Sequence, residues 1–448
     1  MMNKILLKDA QVVEPQRISR QCVLIEGERI VKIAPDISAD NAYVIDCHEL
    51  LAIPGMIDAH VHFRQPGMEH KADILHEAQA AVLGGVTSYM EMPNTLPPTL
   101  NAQTVADKQA IAARDSAANY AFYLGADDRN LEDVKRADPT TIPAIKVYMG
   151  STTGSLLLDD EHILHQVFKA APMMICAHCE DNAYINAQLK RVKAQYGDNI
   201  PFALHPIIRG RDCCINSAKM AINTALDTGA KLHIMHLSTK EECAILQYFA
   251  QGDLATRQIS GEGCIPHLFF SEGDYARLKG LLKCNPAVKS EGDRLSLIKA
   301  IKSGAISTVG TDHAPHEWAV KCGSYLNTAS GIPSIQFALQ ALLELWQRRE
   351  LTLEEVIKVT SGNVATRFNI ADRGFIKEGY YADIALVNLV KGQIVTSEII
   401  ASKCGFSPFT GHRFNSSITH TIVSGTLVVE NGKLTGLRGG KALRFART

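Results

Sequence analysis

The chain has almost no net charge: 46 lysines and arginines against 47 aspartates and glutamates leave a formal −1 at pH 7. That balance gives no electrostatic reason to expect nucleic acid or an anionic membrane as a partner. Long apolar runs are missing too. None approaches the roughly 18 residues needed to cross a bilayer, and residues 1–9 carry too short an apolar core for a signal peptide. Low-complexity stretches and short-period repeats are also absent. Eleven cysteines, an odd number without framework spacing, suit a reducing cytosol rather than a disulfide scaffold. One Cys-x-x-Cys occurs, Cys176-Ala177-His178-Cys179. No second pair completes a structural zinc site and no thioredoxin-like pattern surrounds it, so buried free thiols are expected. The composition, 46% hydrophobic and 21% charged, is that of a soluble globular protein, and the expected location is the cytoplasm.

What is present is a repeating texture. At 448 residues the chain exceeds one ordinary domain but fits a large α/β barrel with an appendage. Apolar runs occupy 53–63, 86–92, 119–125, 144–149, 173–178, 231–237, 257–263 and 306–312. Helical patterns at 69–83, 101–118, 159–171, 212–228 and 239–250 separate them. Eight such repeats predict a (β/α)₈ TIM barrel. The seventh run is polar for a barrel strand, opening with Arg257-Gln258-Ile259-Ser260-Gly261. The chain ends read differently, as short strands at 23–25, 29–33, 381–389, 421–423 and 426–430, the last followed by the Asn431-Gly432 turn. Neither end can hold a core alone, so the two are expected to pair into one small β domain. The expected boundaries are 1–52 and 375–448 for that domain and 53–374 for the barrel.

Chemistry-bearing residues fall at the ends of these runs, where such barrels place their active sites. The first run closes on "GMIDAHVHFR", residues 55–64. His60, His62 and Arg64 at i, i+2 and i+4 would share one strand face. Lys146 sits in the fourth run, His178 ends the fifth, His236 the sixth, with His233 competing, and Asp312 the eighth. Four imidazoles and a carboxylate suit Zn²⁺ and exceed one tetrahedral site, which points to two metals. Burying Lys146 lowers its pKa, and the free amine can add CO₂ to give a carbamate that bridges the pair.

Asp58-x-His60-x-His62-x-Arg64 and Gly310-Thr311-Asp312-His313-Ala314-Pro315-His316 closely resemble the two signatures of the amidohydrolase superfamily, and within it the dihydroorotases. The resemblance spans the whole chain. It implies metal ligation by His60, His62, Lys146, His178, His236 and Asp312. His236 is preferred to His233 because Leu237-Ser238-Thr239 follows it, as in the family, and because it lies nearer the strand end. One branch of the family has a bridging aspartate shortly after the fourth strand; here Ser151 and Thr152 stand there, which favours the carbamylated lysine.

The resemblance also implies a cyclic substrate with a ring carboxylate, bound by Arg64, Asn94 and His316. Asn285 would contact the ring amide, and the loop at Gly331 would offer backbone contacts. Where the family has a second proline and an arginine after Asn285, this chain has Ala287 and Lys289. The implied reaction is reversible hydrolysis of dihydroorotate to N-carbamoyl-L-aspartate, a step of pyrimidine synthesis. In it a hydroxide held between two metals attacks the amide and Asp312 acts as general base. Hydantoinases, dihydropyrimidinases and allantoinases share the ligand set and remain alternatives. A zinc deaminase would not need Lys146, and non-catalytic relatives have lost ligands that this chain keeps. The expected partner is a small molecule; the sequence leaves open whether identical chains associate.

Overall fold

The computed structural model describes residues 4–14, 17–150 and 156–447. Ser151 and Thr152 therefore lie outside the described residues.

Gly55 divides the first apolar run between two sheets. A Cβ there would meet Thr87 Cγ2 at 2.1 Å, so only bare backbone passes. Upstream, Leu50–Pro54 pairs antiparallel with Ile384–Asn388 and parallel with Lys4–Glu14. Both chain ends thereby enter one nine-stranded sheet, with a core of its own that includes Leu7, Val23, Ile25, Ile384, Leu386 and Ile422. The expected small β domain is present, made from segments that could not bury an apolar face separately.

Downstream of Gly55 the barrel begins. Its strands are β1 (Met56–Val61), β2 (Val86–Glu91), β3 (Asn119–Phe122), β4 (Ile145–Tyr148), β5 (Ile175–His178), β6 (Leu232–Leu237), β7 (Ile259–Cys264) and β8 (Ile306–Gly310). The pairings are parallel. Leu124–Gly125 continues β3 beyond Tyr123 and pairs with β4. His62 N–H donates to His313 O at 2.7 Å, closing the seam between the eighth strand and the first. Every residue of these eight strands is buried, which is why they read as near-continuous apolar runs.

The polar seventh run has a simple explanation. Arg257 and Gln258 precede β7 and bind neighbouring carbonyls: Arg257 those of Ala250 and Gly304, Gln258 that of Ala225 in the helix Arg211–Thr228. Gly261 then lets the helix Lys240–Gln247 pack close, since a Cβ would fall 2.3 Å from Leu246 Cδ1. Helices begin later than periodicity suggests because capping side chains stop them. Asp73 accepts from His76 N–H, so the first helix runs Ile74–Leu83 rather than 69–83. Asn101, Asp160 and Thr239 cap theirs likewise.

The C-terminal tail returns to the barrel floor, where Leu443 and Phe445 pack with Met174, Met235 and Phe368. Cys176 and Cys179 are buried free thiols; burial pushes Cys176 up to about 12. Among the described residues no helix is long and apolar enough to cross a membrane.

Candidate active site

A cavity of about 560 Å³ opens at the C-terminal ends of the strands. Its wall contains His60, His62, Lys146, His178, His236 and Asp312, and also Arg64, Asn94, Asn285, His316 and Gly331. All the side chains singled out in the sequence are thus brought to one space. The route differs in one detail. β1 ends at Val61 and Arg64 adopts φ +71°, so Arg64 reaches the cavity by a turn of the backbone, not along a strand face. His236 (φ +38°) and Asp312 (φ +48°) are also left-handed. Such conformations cost about 1–3 kcal/mol each and gather where a site over-determines the backbone.

The hydrogen bonds fix where protons sit. His60 Nδ1 lies 2.7 Å from Glu262 Oε1, and His178 Nε2 lies 3.0 Å from Glu180 Oε2. A carboxylate only accepts, so both nitrogens carry hydrogens. His62 Nδ1 lies 2.8 Å from Asn94 Oδ1, again an acceptor. The lone pairs on His60 Nε2 and His62 Nε2 are left facing Asp312 Oδ1, at 3.3 and 3.1 Å. Three electron-pair donors converge with no proton among them. That arrangement calls for a cation, and these three residues form one of the groups able to hold a metal.

Electrostatics point the same way. Burial alone would raise the Asp312 carboxyl, but His60 and His62 outweigh it and hold it far below the usual range. Burial lowers His62 to about 4 against the pull of Asp312. His236 is lowered well below its ordinary value by burial, then by His178, His60 and Lys146. All stay in the unprotonated forms that bind metal. Lys146 is fully buried and its Nζ has no hydrogen-bond partner; it lies 4.8 Å from the Tyr148 ring. Burial lowers its pKa, and Cys176, Glu262 and Asp312 only partly offset that. An unpaired buried amine fits a lysine awaiting modification better than one serving the fold.

Neighbouring histidines sort themselves. His233 hydrogen-bonds Ser260 and Thr308 at 2.7 and 3.0 Å below the cavity, so it does not compete with His236. His313 turns into the wall, with Nε2 2.8 Å from Glu77 and Nδ1 accepting Ser334 N–H.

Lys289 donates to Ala287 O at 3.0 Å, within the loop that follows Asn285. Asn285 Oδ1 is buried without a partner. Gly331 lies on the cavity wall; its N–H donates to Lys283 O and its carbonyl accepts from Lys321. What it supplies is room, since at φ +146° a Cβ would strike Ala314 O at 2.4 Å.

Four residues support the site from behind, and of them only Asp58 belongs to a signature quoted from the sequence. Asp58 ties β1 to β8 by accepting from His60 N–H, Thr311 N–H and the Thr311 hydroxyl. Arg209 pairs with Glu180 and, with His178, overcomes burial to hold that carboxyl near 2. Glu262 stands behind His60. Of these, Glu180 could have been suspected two residues beyond His178, and Glu262 as an acid inside a barrel run.

The sequence model of the Amidohydrolase family matches residues 51–428, and the chain belongs to that family of metal-dependent hydrolases. Its relatives diverge in activity. An allantoinase of Desulfitobacterium hafniense is 30% identical over 98% of both chains. A dihydroorotase of Streptococcus pyogenes is 31% identical over 95% of this chain and 100% of its own. Among solved structures, the L-hydantoinase (dihydropyrimidinase) of Arthrobacter aurescens superposes with a TM-score of 0.92 at 22% identity, covering 99% of this chain and 100% of its own. At that identity the likeness is one of fold. The protein is a cyclic amide hydrolase of (β/α)₈ architecture.

Proposed function

We propose that this hydrolase is a dihydroorotase, interconverting dihydroorotate and N-carbamoyl-L-aspartate for pyrimidine synthesis in the cytoplasm. One observation carries the choice. Arg64 is 2% exposed on the cavity wall, and no carboxylate among the described residues pairs with it. Burial lowers its pKa only to about 10, so it is charged at neutral pH. Its Nε donates to Pro315 O at 3.1 Å. Its Nη2 faces His316 Nε2 at 3.2 Å, and that nitrogen also lies 3.0 Å from Ser330 O. A buried guanidinium with no carboxylate in direct contact, eased only across space by Asp312, Glu91 and Glu77, is costly, and a substrate carboxylate would answer it by a charge-assisted pair. Allantoin, hydantoin and dihydrouracil carry no carboxylate and would leave it unanswered.

Two zinc ions would be held by His60, His62, carbamylated Lys146, His178, His236 and Asp312. The chemistry such ions supply is acidification of water and polarisation of a carbonyl. Asp312, kept ionised, takes the proton of the attacking water and returns it to the departing ring nitrogen. Arg64, Asn94 and His316 hold the ring carboxylate, and Asn285 receives the ring amide through its unpartnered oxygen. In the reverse direction Asp312 takes the proton of the ureido nitrogen as it bonds to the carboxyl carbon and passes it to the oxygen that leaves as water. The test is Arg64→Met. Transition-state binding of dihydroorotate should weaken by roughly 2–5 kcal/mol, the range for breaking a buried charged pair, with metal content unchanged. Retained dihydroorotate turnover in that variant would remove the ground for the assignment.

A further inference from the structure

Behind the cavity, β7 sends Glu262 toward β1. Its Oε1 lies 2.7 Å from His60 Nδ1, and the two residues are 0% and 1% exposed. The same oxygen lies 3.4 Å from the backbone N–H of His236, so one carboxylate reaches two strands that carry metal-facing imidazoles. We infer that Glu262 is the positioning residue of the metal centre: it fixes the proton on His60 Nδ1 and aims the Nε2 lone pair at the metal.

Three observations bear on this. First, the strand opposite is kept bare where acid and imidazole meet. A Cβ on Gly310 would fall 2.9 Å from Glu262 Oε2, 3.1 Å from His60 Cβ and 3.2 Å from Asp58 Oδ1. Any larger residue would press on the pair.

Second, Glu262 Oε2 has no hydrogen-bond partner though it is buried. Leaving a buried acceptor unsatisfied is destabilising, so the group costs the fold something that a neutral side chain would not. Third, His233 provides an internal comparison. It is equally buried in the same barrel, on β6, yet its two nitrogens meet neutral hydroxyls, Ser260 and Thr308. Packing a histidine inside this barrel needs no acid. A histidine asked to donate electrons to a cation gains from one, because an acceptor on the far nitrogen orients the ring and raises its basicity.

The inference rests on the reading of His60 as a metal ligand, and the experiment separates the two. Glu262→Gln, Glu262→Ala and His60→Asn would be prepared as metal-free proteins. Zinc affinity would be measured by competition with a chromophoric chelator, and thermal midpoints recorded without metal. Glu262→Ala should bind its weakest-held zinc nearly 100-fold less tightly. Glu262→Gln, which keeps an acceptor but not the charge, should bind about tenfold less tightly, within the range for outer partners of a metal ligand. Metal-free midpoints should equal or exceed that of the parent. If Glu262→Ala does not fold, the isosteric Glu262→Gln decides alone. Zinc affinity within twofold of the parent in the glutamate variants, with His60→Asn impaired, would overturn the inference and leave the ligand reading standing. So would a metal-free midpoint that falls together with affinity, since the carboxylate would then be holding the barrel. Unchanged zinc affinity in His60→Asn would overturn the ligand reading, and the inference with it.

Discussion

His178 Nδ1 and His236 Nε2 face one another at 2.8 Å. The other nitrogen of His178 gives its proton to Glu180, and the other nitrogen of His236 is buried without a partner. A pair arranged this way either shares one proton or shares a cation. Burial lowers both imidazoles, which keeps them neutral, the form in which a bound cation would replace the one hydrogen they share. With Lys146 on the same cavity wall as this pair and the His60–His62–Asp312 group, the purified protein should carry about two zinc equivalents on the two-metal template. Lys146→Ala should lose the bridged arrangement and nearly all activity. Short carboxylic acids should restore part of that activity by taking the place of the carbamate. An unmodified Lys146 beside one fully ligated zinc in active protein would contradict the binuclear reading.

Asp312 approaches both His60 and His62 and is held strongly ionised by them. Asp312→Asn keeps the shape and removes the basic oxygen. Hydrolysis should fall by at least ~10², the scale of general-base catalysis, measured in steady-state assays with zinc content checked in parallel. A near-normal rate would transfer proton handling elsewhere. His313 is a poor heir, since both its nitrogens are engaged in the wall.

Metal-free protein should also be acid-sensitive. Burial lowers His62 and His267 from 6.5 to about 4, and His205, His233 and His236 well below 6.5. Between pH 6.5 and 4 these five imidazoles bind more protons in the unfolded chain than in the folded one; Asp58, Glu91 and Glu242, raised by burial, act in the opposite sense but are fewer, so stability rises with pH across that window. The thermal midpoint of the metal-free protein should drop as pH is taken from about 6.5 toward 4. A flat midpoint over that interval would mean that these imidazoles accept protons in the folded state.

Much of this was legible in the sequence because the barrel strands are buried on both faces and their chemistry sits at one end. His60, His62, His178, His236 and Asp312 stand at or just past strand ends, so position alone pointed to them. Other parts were not legible for definite reasons. Gly55 splits an unbroken apolar run, and only the approach of Thr87 shows why. Arg64 reads as a strand residue until its left-handed backbone is seen. Glu262 meets His60 across 202 residues, a separation that no local pattern announces, whereas Glu180, two residues past His178, could have been suspected. The loop at Gly331 was expected to lend backbone contacts, and only the structure shows that the Gly331 N–H is engaged by Lys283, a residue remote in sequence.

The central claim is the substrate, and a side-by-side assay of the zinc-loaded protein tests it most directly. Dihydroorotate, allantoin, hydantoin and dihydrouracil would be compared at equal concentration, with N-carbamoyl-L-aspartate for the reverse reaction. The buried Arg64, with no carboxylate in direct contact, predicts turnover of dihydroorotate and cyclisation of N-carbamoyl-L-aspartate, with kcat/KM for each neutral ring lower by about 10² or more, as expected when a buried charge goes unpaired. Faster turnover of allantoin, hydantoin or dihydrouracil than of dihydroorotate would contradict the account and assign the cavity to a neutral ring.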